Sequence, residues 1–268
     1  MKLPMLRALS VFLLASSIAA AQTPDTVFLE EMTWTEVRDA IHAGKTTVIL
    51  PTGGTEQNGP HMVLGKHNII VKYAAERIAH RLGNALVAPV LAYVPEGDPA
   101  HPAGHLLFPG TITLPGAYFQ KVTEYAARSF RQAGFHDIVF IGDHGSSQAP
   151  LKAAAAALNQ EWKGTAVRAH FISDYYSNAR ATEWLKKQGE KEQDIGTHAG
   201  ILDTSQLMAI DPAGIRSDQV TRGTGFRGDG VIGDPTRARA AYGKYMLDQK
   251  VDLAVAQIQK LMARPRAR

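Results

Sequence analysis

The residues best suited to chemistry stand in two short segments, and each segment directly follows an apolar run. The first run, 47–50, leads into a loop rich in glycine and proline, and the second, 137–142, leads into Asp-His-Gly. The polar side chains of the two segments are Glu56, Asn58, His61, His67, Asp143 and His144. Imidazole and carboxylate groups bind divalent metals and carry protons, so these residue types predict a metal-dependent or acid–base site.

A third segment, 197–205, adds His198 and Asp203. Two histidines and one carboxylate can hold one divalent metal and leave a coordination position for water. A separate histidine can then pass protons to a leaving group. On spacing alone, the alternative that any one of these histidines is structural stays open.

Alternating strands and helices indicate how these segments are brought together. The apolar patterns predict strands at 46–50, 85–94, 137–142 and 165–173, and helices at 33–43, 68–82, 117–132, 149–162, 204–210 and 238–263. The predicted fold class is therefore α/β, a largely parallel central sheet flanked by helices in three layers. Ligands bind beyond the carboxyl ends of such strands, which is where both polar segments lie.

Composition narrows the function classes. The chain has 268 residues, is 45% hydrophobic and 20% charged, and shows no break that would suggest a second domain. Because it contains no cysteine, a thiolate metal site and a cysteine nucleophile are excluded. The formal net charge of +4 is not gathered into a basic stripe, so we expect no nucleic-acid partner.

The first residues have the pattern of an export signal. Lys2 and Arg7 precede the apolar run 8–20, and small residues precede Gln22. The pattern predicts a signal peptide at 1–21, a mature single domain at 22–268, and export across the inner membrane to the periplasm. A retained N-terminal anchor is the alternative. We expect no stable membrane insertion elsewhere, because no other segment is long and apolar enough.

Two further signals carry less weight. Residues 223–228 fit G-x-G-x-x-G but neither follow a clear strand nor open a helix, so they predict a flexible loop rather than a dinucleotide site. Asp143, His144 and Ser146 are too close in sequence to face one another as a hydrolase triad, and no G-x-S-x-G elbow is present.

Five motifs in order resemble the creatininase (creatinine amidohydrolase) family. They are GGTEQNGPHMVLGKH at 53–67, FPGT at 108–111, GDH at 142–144, HAGILDTS at 198–205 and GDP at 233–235. The resemblance extends over roughly residues 28–260. It implies a creatininase-like three-layer fold, a metal-dependent amidohydrolase that cleaves a cyclic amide or related C–N bond, and a homo-oligomer, from dimer to hexamer.

The resemblance also exposes departures at ligand positions. In the family, two metals share a bridging aspartate, and here that position is His67. The glutamate and histidine of the first metal are kept as Glu56 and His144, whereas two ligand positions of the second metal have become Asn58 and Ser146. We therefore expect one metal, held by Glu56, His67 and His144. Zinc is the first choice, with manganese or iron as alternatives.

The family's catalytic histidine corresponds to His198, and Asp203 stands where the family has glutamate. The implied mechanism is attack by metal-activated water on an amide or lactone carbonyl, with His198, oriented by Asp203, passing the proton to the leaving group. The substrate is expected to be a small molecule, and its predicted binding residues are Asn58, His61, His105 and Ser146.

Two other functions stay open. One is a lactone hydrolase that uses the same site, and the other is a non-catalytic protein of the same fold that binds a small ligand. Residues 193–197, which precede His198, contain no tryptophan. Since the family member that acts on creatinine has aromatic groups around its substrate, creatinine itself is not favoured.

Overall fold

The computed structural model describes residues 25–176 and 178–265. The predicted signal peptide at 1–21 lies outside these residues. The central sheet has four parallel strands in the order β2-β1-β3-β4. The strands are β1 (Thr47–Thr52), β2 (Ala85–Val87), β3 (Asp137–Gly142) and β4 (Arg168–Phe171). The predicted parallel α/β fold is confirmed.

Eight α-helices are found among the described residues. They are α1 (Trp34–His42), α2 (Lys66–Leu82), α3 (Gly116–Ala133), α4 (Gln148–Glu161), α5 (Asn178–Lys187), α6 (Glu192–Ile195), α7 (Ile201–Ile210) and α8 (Ala240–Met262). Six of them were predicted to within a few residues. The helix α5 was missed, because it has only ten residues and buries only Ala181 and Leu185. The one-turn helix α6 was not predicted either.

The register of β1 and β3 brings the two polar segments to the same edge of the sheet. These strands pair residue for residue from Thr47 with Asp137 to Thr52 with Gly142, so their carboxyl ends lie side by side. Every position of both strands is buried. That burial explains the continuous apolar runs in the sequence, since a sheet covered on both faces has no solvent side.

Helices cover both faces of the sheet and form a core on each. On one face Ile49 packs with α2 and α8. On the other face Val48 and Leu50 pack with α1, α3 and α4. Because successive strand residues point to opposite faces, a single apolar strand contributes to both cores. Within the described ranges, no helix is both long and apolar enough to cross a membrane.

Two predicted strands are shorter than expected. The strand predicted at 85–94 ends at Val87, because Pro89 lacks the N–H that would continue the ladder. The chain then forms single bridges, one from Leu91 to Thr52 of β1 and one from Val94 to Thr113 of the segment before α3. The strand predicted at 165–173 is limited to β4. The loop beyond Val94 is consequently placed next to the carboxyl end of β1.

The packing of α7 on α8 should not tolerate an added methyl group at Gly243. A Cβ there would lie 1.8 Å from the carbonyl oxygen of Ser205 in α7. We expect Gly243→Ala to lower the free energy of unfolding by about 1–3 kcal/mol through overpacking, although alanine favours helix more than glycine does. Urea denaturation would measure the change. Lys244→Ala, at a mostly exposed neighbour, is the control, and equal stability of the two variants would contradict this packing.

Candidate active site

A cavity of about 550 Å³ opens at the carboxyl edge of the sheet. Side chains from the loops after β1 and β3, the first turn of α2, the segment around α7 and the middle of α8 line it. The lining residues with ionisable or hydroxyl side chains include Glu56, Lys66, His67, Glu96, His105, Asp143, His144, Ser146, Tyr176, His198, Asp203 and Lys250. The structure therefore brings together most of the residues that the sequence singled out.

The carboxylate of Glu56 lies at the centre, and its two oxygens face two different groups of side chains. On the Oε2 side, His144 Nε2 is 2.7 Å away and His105 Nε2 is 3.4 Å away. On the Oε1 side, His67 Nε2 is at 2.9 Å and Lys66 Nζ is at 3.6 Å. Burial alone would raise the pKa of the Glu56 carboxyl, but His67, His144 and Lys66 lower that pKa well below its usual range.

The Oε2 side could hold a metal ion. Ligand atoms of Glu56, Glu96, His105 and His144 all lie within 4.8 Å of one another. Glu96 Oε1 is buried without a hydrogen-bond partner and lies 3.2 Å from His144 Nε2. A buried carboxylate oxygen that lacks a partner, next to two imidazoles and a second carboxylate, fits a divalent cation.

The protonation states on the Oε2 side agree with this assignment. Burial lowers the pKa of both His105 and His144, which favours the neutral imidazole that metals bind. His144 Nδ1 bonds to Ser146 Oγ at 2.8 Å, and Ser146 in turn donates to the carbonyl of Pro95. This contact orients the ring, so that Nε2 points into the site.

Glu96 was not recognised in the sequence. It lies two residues after Val94, where the strand predicted at 85–94 ends. Glu56 and Asp143 were selected because they follow predicted strands, and the same criterion applied to Glu96. The backbone N–H of Glu96 donates to Thr113 Oγ1 at 2.9 Å, which fixes the loop against the segment that leads into α3. Burial, followed by the charge of Glu56, raises the pKa of the Glu96 carboxyl to about 8.

His67 lies on the Oε1 side, between two carboxylates. Its Nδ1 is 2.8 Å from Asp143 Oδ2, and its Nε2 contacts Glu56. Burial and Lys66 oppose a charge on the ring, but Glu56 and Asp143 prevail and raise the pKa of His67. With both nitrogens facing carboxylates, neither is directed at the Oε2 side. The assignment of His67 as a metal ligand stays a prediction.

Lys66 was also missed, although it directly precedes His67 at the start of α2. Its side chain is buried, and its Nζ lies 3.2 Å from Asp203 Oδ2. Burial alone would lower the pKa of the Lys66 ammonium, but Asp203, Glu56 and Asp143 raise that pKa above its ordinary value. Asp203 also accepts a hydrogen bond from the N–H of Ala199 at 2.8 Å. The contacts of Asp203 are therefore to Lys66 and this backbone group, and its orienting role toward His198 stays a prediction.

His198 lies against the Gln57 side chain and backbone. Its Nε2 is 3.0 Å from the carbonyl oxygen of Gln57, and its Nδ1 is 3.8 Å from Glu56 Oε1. Burial and the charge of Lys66 lower the pKa of His198 to about 3, so its ring is neutral at neutral pH. Phe226, from the loop at 223–228, lies over both His105 and His198, with ring centroids 5.0 and 6.0 Å away.

The four predicted substrate-binding residues divide into two pairs. His105 and Ser146 line the cavity, whereas Asn58 and His61 are not among its lining residues. Asn58 donates to the backbone carbonyls of Glu56 and Val63 at 2.9 and 3.2 Å, so it shapes the loop. His61 contacts Thr204 of α7 at 3.0 Å. Their role in substrate binding stays a prediction.

The profile of one known family, described as creatininase, creatinine amidohydrolase, matches residues 30–258. The chain belongs to the creatininase family. Its relatives include a mycofactocin precursor peptide peptidase of Mycolicibacterium smegmatis, 28% identical over 79% of this chain and 84% of that protein. Another is the creatinine amidohydrolase of Pseudomonas putida, 26% identical over 73% of this chain and 76% of that protein. This creatininase-family chain thus has hydrolases as its relatives.

A solved creatinine amidohydrolase shares the fold. Its TM-score is 0.76 at 22% identity, and the match covers 90% of this chain and all of that one. Solved creatininases are described with manganese, as a Zn-Zn type and in complex with creatine. The family's structures therefore hold manganese or zinc, and the Glu/His group of the Oε2 side is the candidate metal site of this chain.

Removing the metal should make the unfolding free energy sensitive to Glu96. The folded-state pKa of Glu96, about 8, lies above its ordinary value of 4.5. The unfolded chain therefore loses this proton first, and stability falls as pH rises between these two values. In metal-free protein, we expect Glu96→Gln to be more stable than wild type by on the order of 2 kcal/mol near pH 8 and by much less near pH 5.

Urea denaturation of chelator-treated protein at the two pH values measures this difference. Glu192→Gln, at an exposed carboxylate, is the control for the loss of one negative charge. A Glu96→Gln effect that is equal at both pH values would show that this carboxyl is not held in its neutral form.

Proposed function

We propose that this protein is a metal-dependent hydrolase that cleaves a cyclic amide or a related C–N bond. The observation that carries the proposal is a four-residue Glu/His group next to a neutral histidine, His198, in one cavity. Both curated relatives support it, since one is named as an amidohydrolase and the other as a peptidase. The loss of tryptophan before His198 speaks against creatinine as the substrate.

The metal would be held by Glu56, Glu96, His105 and His144, and zinc suits this set, with manganese or iron as alternatives. Glu56 and His144 also belong to the triad expected from the sequence, whose third member is His67. When bound, such a metal supplies Lewis-acid chemistry, activating water and polarising a carbonyl group. The Ser146 contact would hold the His144 ring in place.

His198 is suited to carry the proton. The carbonyl of Gln57 only accepts hydrogen bonds, so its contact at 3.0 Å favours the tautomer with the hydrogen on Nε2. The Gln57 side-chain nitrogen also lies 3.1 Å from Nε2, and it contacts Gly230 O and His105 Nδ1 at 3.2 Å each. With the hydrogen on Nε2, Nδ1 carries the lone pair and lies 3.8 Å from Glu56 Oε1. It can take a proton from water and return it to the leaving nitrogen.

Export to the periplasm and assembly into a homo-oligomer, from dimer to hexamer, belong to the same proposal. Both rest on the sequence: the first on the signal-peptide pattern at 1–21, the second on the resemblance to the family. The partner expected at the site is a small-molecule substrate.

Metal content per chain tests the ligand set. We expect the mature protein, 22–268, to hold about one metal per chain by elemental analysis. We expect Glu56→Ala and His144→Ala to lose it, because both residues belong to the ligand set expected from the sequence and also to the set found in the structure. We further expect His105→Ala to lose metal and His67→Ala to keep it, since both His67 nitrogens face carboxylates. The exposed His101 supplies the control variant, His101→Ala.

The reverse pattern, in which His67→Ala loses metal and His105→Ala keeps it, would establish the triad expected from the sequence. A wild-type protein that holds no metal even after reconstitution would turn the interpretation toward a non-catalytic ligand-binding protein.

His198→Ala should separate turnover from metal binding. Removing a general acid–base typically lowers kcat by about 10²–10⁴-fold, and we expect this loss with unchanged metal content. The assay is hydrolysis of a panel of cyclic amides and lactones, with His80→Ala on the exposed side of α2 as the control. If metal is lost with His198, the residue is a ligand. Activity on lactones alone would favour the lactone hydrolase.

A further inference from the structure

The two sides of Glu56 differ in how their carboxylates are neutralised. Four acidic side chains line the cavity, Glu56, Glu96, Asp143 and Asp203. On the Oε2 side, Glu96 Oε1 has no hydrogen-bond partner. Asp143 and Asp203, by contrast, each have a lysine partner. This difference marks the Oε2 side as the one that needs a cation from outside.

Lys66 supplies the cation of the other side. Its ammonium lies between Glu56 Oε1, at 3.6 Å, and Asp203 Oδ2, at 3.2 Å. The side chain is only 1% exposed, so its charge is balanced by these carboxylates rather than by bulk water. It is the first residue of α2, a helix that packs one face on the sheet, and this fixes its position.

The remaining acidic oxygens near Lys66 are also occupied. Asp143 Oδ1 accepts from Lys250 Nζ at 2.6 Å and from the hydroxyl of Tyr175 at 2.9 Å. Asp143 Oδ2 bonds to His67. Since these oxygens already have donors, a second divalent ion would have to displace an ammonium or a hydrogen bond to reach them.

We propose that the Lys66 ammonium takes the place of a second divalent cation, so that the site holds one metal on the Oε2 side and one fixed side-chain charge on the Oε1 side. The proposal rests on the proposed function for the first metal. A solved creatininase described as a Zn-Zn type shows that this fold can hold two metals. In this chain Glu56 is shared by a metal site and an ammonium.

Lys66→Met removes the charge and keeps most of the side-chain volume. We expect the number of zinc ions bound by the mature protein to rise from about one to about two per chain, because the carboxylates of Glu56 and Asp203 lose their cation. Elemental analysis after equilibration with excess zinc and desalting gives the count, and zinc titration by calorimetry gives the affinity of each site. Lys72→Met, on the exposed side of the same helix, is the matched control and should bind as wild type does.

Several outcomes separate this proposal from the proposed function. One zinc in wild type and still one in folded Lys66→Met overturns the role of Lys66 and leaves the hydrolase proposal standing. Two zinc ions per chain in wild type also overturn the role of Lys66. No zinc in wild type but one in Lys66→Met supports the role of Lys66 and overturns the proposed function, whereas no zinc in either overturns both.

A loss of folding is also informative. If Lys66→Met unfolds without metal, circular dichroism during refolding in excess zinc decides the question. Recovery of the fold with two zinc ions per chain supports the replacement of a metal by Lys66. Failure to refold at any zinc concentration overturns it, because a metal cannot then substitute for the ammonium.

Discussion

The arrangement of the site depends on one constraint, the need to compensate the buried negative charge of Glu56. A carboxylate that is 1% exposed would be strongly destabilising without compensation. It is compensated from both of its oxygens, by His144 on one side and by His67 and Lys66 on the other. Because one rigid group serves both sides, the position of any metal on Oε2 is tied to the position of the ammonium near Oε1.

The sheet makes this arrangement possible. Parallel strands place the loops that follow β1 and β3 at one edge, and the residue-for-residue register leaves no offset between them. The helix α2 begins at the same edge and delivers Lys66 and His67 as buried residues of its first turn. The site is thus assembled from loops and helix starts that a packed core holds in place, which suits chemistry that depends on fixed distances.

The charges of the cavity explain how this chain can differ from relatives with two metals and still hold its acidic residues. Lysine side chains neutralise Asp143 and Asp203 from within the protein. Glu96 remains as a carboxylate with an orphan oxygen beside two neutral histidines. The proposal of one metal and one internal cation rests on this pattern of satisfied and unsatisfied oxygens.

The sequence by itself determined the parallel α/β fold, the family and most of the residues around the cavity. Apolar periodicity and strand-end loops are local signals, and Glu56, His144 and His198 stand in motifs that can be recognised without coordinates. Which oxygen of Glu56 meets which cation could not be predicted, because that depends on side-chain directions across residues far apart in the chain. Only the tertiary structure brought Glu96 to His144, paired Lys66 with Asp203, and turned both nitrogens of His67 toward carboxylates. Buried charges choose partners by distance in space, and the fold sets those distances.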